Sequence, residues 1–356
     1  MSDTNSRLTQ FDSLLAADGP AALVVREHLI AAEGADAVIF PATYADVGYN
    51  IDYENSRERT GRNICLIDSI GSQANRLEPL FKEDPYNKLV PQIVIQAGDK
   101  EINLLDAGHR AGDAIARCSS LQDELKEAFT AALKGNDVPL AKIAPTSLVF
   151  GVWDSRDSQA KRPRIIASTV RAYDVRKLTR SATYIAPVDC VTQGLISPED
   201  AEKASKDSKN PLSQTGLVNA LASETHGGVI ADGGIRRDAV LALSALKLLR
   251  ADTPENTTKL QRYILGLALV AFTKLPLGYY RQGTILVLDP EKKREFQSVK
   301  VDGTRADVST TITHEAASSF AEAAANDFGV GASKTVPFES AKAKKAIDEA
   351  KKKKGK

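Results

Sequence analysis

The chain is short of the residues that mark several function classes. Its three cysteines, Cys65, Cys118 and Cys190, are widely spaced and none forms a CxxC pair. An odd number cannot all pair internally, so neither a disulfide scaffold nor a structural zinc site is expected, and a reducing compartment is the simplest setting. The longest apolar run, Tyr263 to Phe272, contains Gly266 and is too short to span a bilayer. The first residues, MSDTNSRLTQ, lack the basic-then-apolar pattern of a secretory leader, so a cytoplasmic protein with no membrane partner is expected. HExxH, GxSxG and GxxxxGK[ST] are all missing, and His28, His109, His226 and His314 are scattered in unlike settings. No catalytic residue, metal or cofactor is therefore expected.

Charge of one sign is also lacking, with 47 Lys+Arg against 46 Asp+Glu and a net charge of +1. That balance argues against a strongly basic nucleic-acid binder, but it hides an asymmetry. From Glu339 to Lys356 there are eight lysines and three acids, leaving 39 basic and 43 acidic groups in the other 338 residues. A mildly acidic body carries a basic tail. The rest of the composition is that of a globular protein with ample material for a core. A single domain over 1–338 and a disordered tail over 339–356 are expected.

The first 35 residues read as helix, with Leu14, Leu15, Ala22, Val25, Leu29 and Ile30 at helical spacing around a break at Gly19-Pro20. A short extended stretch from Ala37 to Tyr44 follows, then a polar loop or hairpin from Asp46 to Asn63 that carries Arg57, Arg59 and Arg62. Ile64 to Ile67 reads as a buried strand leading through a Gly/Ser turn into a helix that runs to Phe81. Gln92 to Gln96 and Ile102 to Leu105 flank Gly98-Asp99 as a hairpin. Helices are expected near Gly108–Arg117 and over Ser120–Leu133, the second opened by a capping box at Ser119–Gln122. The β-branched and aromatic content of Ser147 to Trp153, Arg164 to Val175 and Ala182 to Ala186 predicts strands. Ser197-Pro198-Glu199-Asp200 is a helix start. Arg236 to Arg250 and Thr257 to Lys274 read as long helices, the latter preceded by Thr253-Pro254-Glu255, followed by a hairpin of Thr284–Leu288 with Glu295–Val301 and an Ala-rich helix. Strands and helices mix without regular βα alternation, which favours an α+β fold.

Three stretches could carry chemistry. In His226–Arg237, the pairs Gly227-Gly228 and Gly233-Gly234 precede Arg236-Arg237, which on this reading open a helix. Exposed backbone N–H groups beside guanidinium groups suit phosphate, but the same residues suit a loop needing positive φ with surface arginines behind it. Between Asp154 and Arg180, eight bases, among them Arg162, Arg164, Arg171 and Arg176, face three acids. A basic strand beside an aromatic such as Tyr173 suits a nucleic-acid backbone and its bases, or is simply a solvated sheet face. At Asp68–Glu78 a buried strand delivers a helix whose first turns present Ser72, Gln73, Asn75 and Arg76. These groups can hydrogen-bond phosphate or sugar oxygens, while Ser69 or Ser72 also suits ordinary N-capping.

The strings Cys65–Glu78 (CLIDSIGSQANRLE), Leu104–Ala114 (LLDAGHRAGDA) and Pro145–Arg156 (PTSLVFGVWDSR), with the Gly-rich stretch through Arg236-Arg237, resemble the CRISPR-associated backbone subunit of type I-U (also called I-G) effector complexes. The resemblance covers about residues 35 to 300. The Ser72-Gln73-x-x-Arg76 element also looks like the Ser-Gln-x-x-Lys/Arg helix start of backbone subunits in other type I systems. It implies the RAMP superfamily and a modified RRM-like (ferredoxin-like) palm with inserted finger and thumb elements and additional helices; the polar 197–226 insertion is the thumb candidate. It further implies a non-catalytic, antiviral-defence subunit of a Cascade-like complex. Copies would polymerise in a helical filament along CRISPR RNA, meet other effector-complex subunits, and present the guide for pairing with target DNA, the protein holding backbone and shape. Its RNA contacts would fall at Ser72, Gln73, Asn75 and Arg76, then His109 and Arg110, then Arg162, Arg164, Arg171 and Arg176, and the glycines of the Gly-rich stretch with Arg236 and Arg237. The alternative is a metal-dependent endoribonuclease of the type III backbone kind, acting on guide-paired RNA through an acid such as Asp68 or Asp106. An unrelated metabolic α+β enzyme is the third reading.

Overall fold

The computed structural model describes residues 2–207 and 209–354. Its frame is an antiparallel sheet containing β1 (Ala22–Ala31), β2 (Ile51–Asn55), β3 (Thr60–Asp68), β4 (Ile166–Tyr173), β7 (Ile235–Ala242), β8 (Thr284–Leu288) and β9 (Glu295–Val299), while β5 (Val175–Tyr184) and β6 (Ala220–Ala231) form a separate two-stranded ribbon. The order across the sheet is β2-β3-β4-β7-β1, and the far edge of β1 is shared by β9 at Ala22–Arg26 and by β8 at Leu29–Ala31. The expected hairpin of residues 284–301 is therefore not one: both strands dock end to end along the same edge of β1.

Register fixes the two faces of the sheet. Leu23, Val25, Glu27 and Leu29 of β1 lie opposite Leu241, Ala239, Arg237 and Ile235 of β7, and these in turn lie opposite Ile166, Ser168, Val170 and Ala172 of β4. All of these are buried. Alternate residues, Val24, Arg26 and His28 with Val240, Asp238, Arg236, Arg171 and Tyr173, occupy the opposite face and are half-buried or exposed. Beneath the buried face pack α2 (Pro254–Thr273) and α3 (His314–Phe328). Their close approach requires Gly266, where a Cβ would lie 2.8 Å from Ala321 Cα. Tyr263 of α2 donates to the Leu89 carbonyl at 2.8 Å and stacks on Phe328 with ring centroids 4.6 Å apart. Burial of this layer supplies the main driving force for folding. The outcome is the expected α+β fold with an antiparallel sheet compatible with an RRM-like palm. Among the described residues no helix is long and apolar enough to cross a membrane.

Several element assignments are corrected. Residues 22–31 form a central strand, and helix near the N-terminus is confined to Ser2–Thr9 and Asp12–Leu15. Glu27 and Arg237 explain the misreading of both β1 and β7. Each is a charged residue at an inward position, paired with the other, and so interrupts the apolar alternation that betrays a strand. Residues 236–250 accordingly hold β7 and a short helix, Leu243–Leu246. The stretch expected as a strand from Ser147 contains the helix Thr146–Phe150, ended by Gly151 at φ 81°, before the two-residue strand Val152–Trp153. All five helical residues are buried, so packing overrides their β propensity. The capping box at 119–122 does not form. Ser119 Oγ instead accepts from Leu121 N–H and donates to the Ala116 carbonyl, and the helix Gln122–Leu133 has no side-chain cap.

The thumb candidate falls on a ribbon. β5 and β6 pair with each other and carry at their tip residues 185–219, including helices Pro198–Lys206 and Pro211–Gln214, with Ser197 capping the first as expected. Ser208 lies outside the described residues. β4 runs into β5 through Asp174 alone, held at φ 49°, where Asn63 accepts from Val175 N–H at 2.8 Å and donates to the Val175 carbonyl at 3.1 Å. The Lys-rich tail, expected to be disordered, is a helix over Ser340–Lys354 (α4), and Gly355 and Lys356 lie outside the described residues.

Candidate nucleic-acid interface

The short helix Ile70–Leu77 (here αN) leaves β3 through Ser69, whose Oγ accepts from Ser72 N–H at 3.2 Å, so the capping reading of this element holds. Ser72 is half-buried beside it. Gln73 is only 3% exposed; its amide donates to Asp68 Oδ2 at 2.5 Å and accepts from Ser168 Oγ at 2.8 Å. This corrects the expectation of an RNA contact: Gln73 ties αN to β3 and β4 from inside the core. Arg76 is more exposed but engaged, with Nε 3.1 Å from Asp68, Nη2 2.5 Å from the Tyr280 carbonyl, and its guanidinium 5.3 Å from the Tyr280 ring. It neutralises the buried Asp68 carboxylate, so its first duty is structural. Asn75 is exposed and accepts from Arg110 at 3.5 Å.

Arg110 is likewise a bracket. It is 2% exposed, sits at φ 55°, pairs with Glu78 at 2.6 Å, donates to the Gly151 carbonyl at 3.3 Å and lies 5.3 Å from the Phe150 ring centroid. Burial pushes the Glu78 carboxyl upward and Arg110 opposes that shift. His109 beside it is free to meet solvent, its side chain 86% exposed and 3.5 Å from Asp113. Arg237, 1% exposed, pairs with Glu27, which Arg294 also meets at 2.7 Å. Burial would raise the Glu27 pKa, but the two guanidinium groups outweigh it and hold the carboxyl below its ordinary value. Arg236 and Arg237 thus stand on opposite faces of a strand and do not open a helix together.

The Gly-rich stretch serves packing and turning. A Cβ on Gly227 would fall 2.8 Å from the Thr179 carbonyl carbon, and Gly228 N–H donates to the Tyr49 hydroxyl at 3.0 Å. Gly233 and Gly234 turn the chain between β6 and β7, beside the Arg176–Asp232 pair at 2.6 Å. On the outer sheet face, Arg171 donates to Thr169 Oγ1 at 2.6 Å, while Arg236 stacks 4.8 Å from the Tyr173 ring and bonds its hydroxyl at 2.8 Å. Arg171 and Arg236 are register partners, so two guanidinium groups and one aromatic ring share a patch there.

A second basic group gathers more side chains. The segments 108–117, 151–156 and 161–164 enclose an open concavity of about 540 Å³. His109, Arg110, Arg117, Arg156, Lys161, Arg162 and Arg164 line it, with no acidic residue in the lining. Arg162 is held by Asp137 at 2.6 Å and by the Ala132 carbonyl. The side chains of Arg156 and Arg164 are exposed and have no ion-pair partner among the described residues. Arg117 Nε is buried there without a hydrogen-bond partner. Trp153 is 56% exposed at the rim, with Lys161 Nζ 5.8 Å from its ring centroid. Arg164 reaches toward Gly71 in the first turn of αN, which joins the concavity to that helix. Arg110, Arg162 and His109 meet Glu78, Asp137 and Asp113, while Arg117, Arg156, Lys161 and Arg164 have no acidic partner among the described residues; like charges so held attract a polyanion, and an exposed indole is a stacking surface for a base.

The concavity lies wholly inside a span with a relative. Residues 23–177 match the model of the family described as CRISPR-associated protein GSU0053. The chain is similar to a CRISPR-associated protein over that span, a little under half its length. No curated protein matches it. The matched span begins in β1 and ends as β5 leaves the sheet, so it includes αN and the concavity but not β6, β7 or the C-terminal helices.

Of the expected contacts, the structure brings His109, Arg110, Arg162 and Arg164 into one concavity with Asn75 close by, places Arg171 and Arg236 on the sheet, and sets Gln73 and Arg237 in the core. Arg117 and Trp153 were not anticipated. Arg117 is separated in sequence from the basic island, and nothing in the sequence marks Trp153 as exposed. The two acids named for metal chemistry are engaged: Asp68 with Gln73 and Arg76, and Asp106 with Lys82 at 2.6 Å. Among the described residues no group of three His, Cys, Asp or Glu is arranged to hold a metal ion.

Proposed function

We propose that this chain is a non-catalytic RNA-binding backbone subunit of a type I CRISPR effector complex, and that successive copies line CRISPR RNA and present it for pairing with target DNA. The concavity carries the reading: seven basic or imidazole side chains and an exposed tryptophan, lined by no acid, inside the span similar to a CRISPR-associated family. Phosphates would meet Arg156, Lys161 and Arg164, whose charges the fold leaves unpaired, and a base would stack on Trp153. Such contacts are independent of sequence, as a guide-holding subunit requires. The ribbon supplies a surface for a neighbouring copy. Its tip exposes Tyr184, Ile185, Val188, Leu195 and Leu217, more apolar area than a solvated tip needs.

The test is reconstitution of the full chain with a CRISPR RNA, with mass and the ratio of absorbance at about 260 and 280 nm measured before and after nuclease. The expected result is an RNA-loaded oligomer whose mass grows with guide length. A protein that stays monomeric and RNA-free overturns the reading. Divalent-dependent cleavage of RNA paired to the guide overturns its non-catalytic part.

A further inference from the structure

The C-terminal helix α4 lies outside the matched span and takes no part in the concavity, yet it starts at the same segment. Glu339 N–H donates to the Cys118 carbonyl at 2.7 Å, and Lys342 Nζ donates to the Ser119 carbonyl at 3.0 Å. Cys118 and Ser119 directly follow Arg117, which lines the concavity. The helix is thus rooted at the edge of the basic surface. Along it Lys344, Lys345, Lys351 and Lys352 are exposed and have no ion-pair partner among the described residues, against two acids, Asp348 and Glu349. Spacings of seven place Lys344 with Lys351 and Lys345 with Lys352 in two adjacent stripes. From the first to the last of these the helix rises about 12 Å, three to four base-pair steps.

Helix stability explains only part of this pattern. Lys351 and Lys352 sit near the C-terminal end, where the macrodipole favours cations, but Lys344 and Lys345 lie in the N-terminal half and gain nothing from it. A bilayer surface is the poorer match, because Ile347 is the only large apolar side chain on the helix, too little to hold it in a lipid interface. We propose that α4 is a phosphodiester-binding arm that extends the positive surface of the concavity and holds nucleic-acid backbone without reading sequence. This goes beyond the guide-binding reading and stands on the helix's own charge.

The test compares the full chain with the Lys344→Gln/Lys345→Gln/Lys351→Gln/Lys352→Gln variant. Binding to an unrelated single-stranded RNA and to an unrelated DNA duplex is followed between about 50 and 200 mM salt. The expected result is a shallower log K against log salt, by about 2 units or more in at least one arm, and the arm with the larger change identifies the strand held. The four-fold Lys→Arg variant should keep the original slope, which separates charge from folding. A variant of Arg156, Lys161 and Arg164 should retain the contribution of the tail, so failure of the concavity reading and failure of this one are distinguishable. Unchanged slopes in both arms overturn the proposal. So does loss of binding confined to anionic phosphatidylserine vesicles.

Discussion

Replacing Arg156, Lys161 and Arg164 together by glutamine removes three charges that no acid neutralises. None has an ion-pair partner among the described residues, and all three line the concavity. Stability should therefore change by no more than about 0.5 kcal/mol per site, the ordinary effect of a surface substitution. Each single-strand phosphate contact contributes about 0.7 to the slope of log K against log salt, so three contacts should lower it by about 2. Over a four-fold change in salt, one contact is worth about 0.4 decade and three about 1.3 decades, or roughly 20-fold. The assay is a titration of a labelled guide RNA at about 50 and 200 mM salt, with the urea midpoint of both proteins measured alongside. A lost salt dependence with an unchanged midpoint supports the concavity as the site. An unchanged slope refutes the electrostatic reasoning whatever happens to affinity at one salt concentration, and a change confined to one guide sequence would contradict a backbone role.

Trp153→Ala should weaken RNA binding by about 1–3 kcal/mol per stacked base while leaving the salt slope in place, since the ring contributes stacking and no charge; a fixed-salt titration with several guide lengths checks this. Arg110→Met should cost about 3–5 kcal/mol in chemical denaturation, because it strands the buried Glu78 carboxylate, and a loss below about 1 kcal/mol would show that the pair is not isolated from water. Gly266→Ala should destabilise by about 1–3 kcal/mol despite better helix propensity, because the new methyl meets Ala321 on the facing helix. His314 gives a pH prediction. Burial, then Lys274, lowers its pKa below 6.5, and its ring nitrogens bond the Tyr86 hydroxyl at 2.6 Å and Thr273 Oγ1 at 2.9 Å. The unfolded chain then binds more protons than the folded one just below pH 6.5, so stability is full above that value and falls as pH drops toward the folded pKa. Thermal midpoints between about pH 7.5 and 5 should show this decline, and His314→Gln should flatten it.

The parts of the fold legible in the sequence are those whose determinants are local. The hairpin at Gly98-Asp99, the cap and proline at Ser197-Pro198, and the start of α2 at Thr253-Pro254-Glu255 all carry their signals within a few residues. The errors share a different cause. β1 and β7 each place a charged residue on the buried face, and only the two strands together show that Glu27 and Arg237 satisfy one another. The candidate site divides the same way. The basic island from Asp154 to Arg180 is visible as composition, but which arginines remain available depends on distant partners. Asp137 occupies Arg162, Asp232 occupies Arg176, and Tyr173 with Asp238 engages Arg236, while Arg164 is left alone. The Ser72-Gln73-x-x-Arg76 pattern marks a helix start correctly, yet two of its three polar residues point toward Asp68.

The join between sheet and ribbon has a mechanical consequence. β4 passes into β5 with one residue between them, and β6 returns to β7 through a three-residue turn, so the projecting ribbon and the sheet strands bearing Arg171 and Arg236 are the same two stretches of chain. A ten-residue strand reaches about 33 Å, which makes the ribbon a beam clamped at its base, at Asp174 by Asn63 and at Gly228 and Val229 by Tyr49 and Ile39. Load applied to the tip by a neighbouring subunit would be felt as torque at the clamp, and the first groups to turn with it would be Tyr173 and Arg236. In the proposed assembly, the surface that would seat the next molecule and a lever on the sheet surface are one continuous beam.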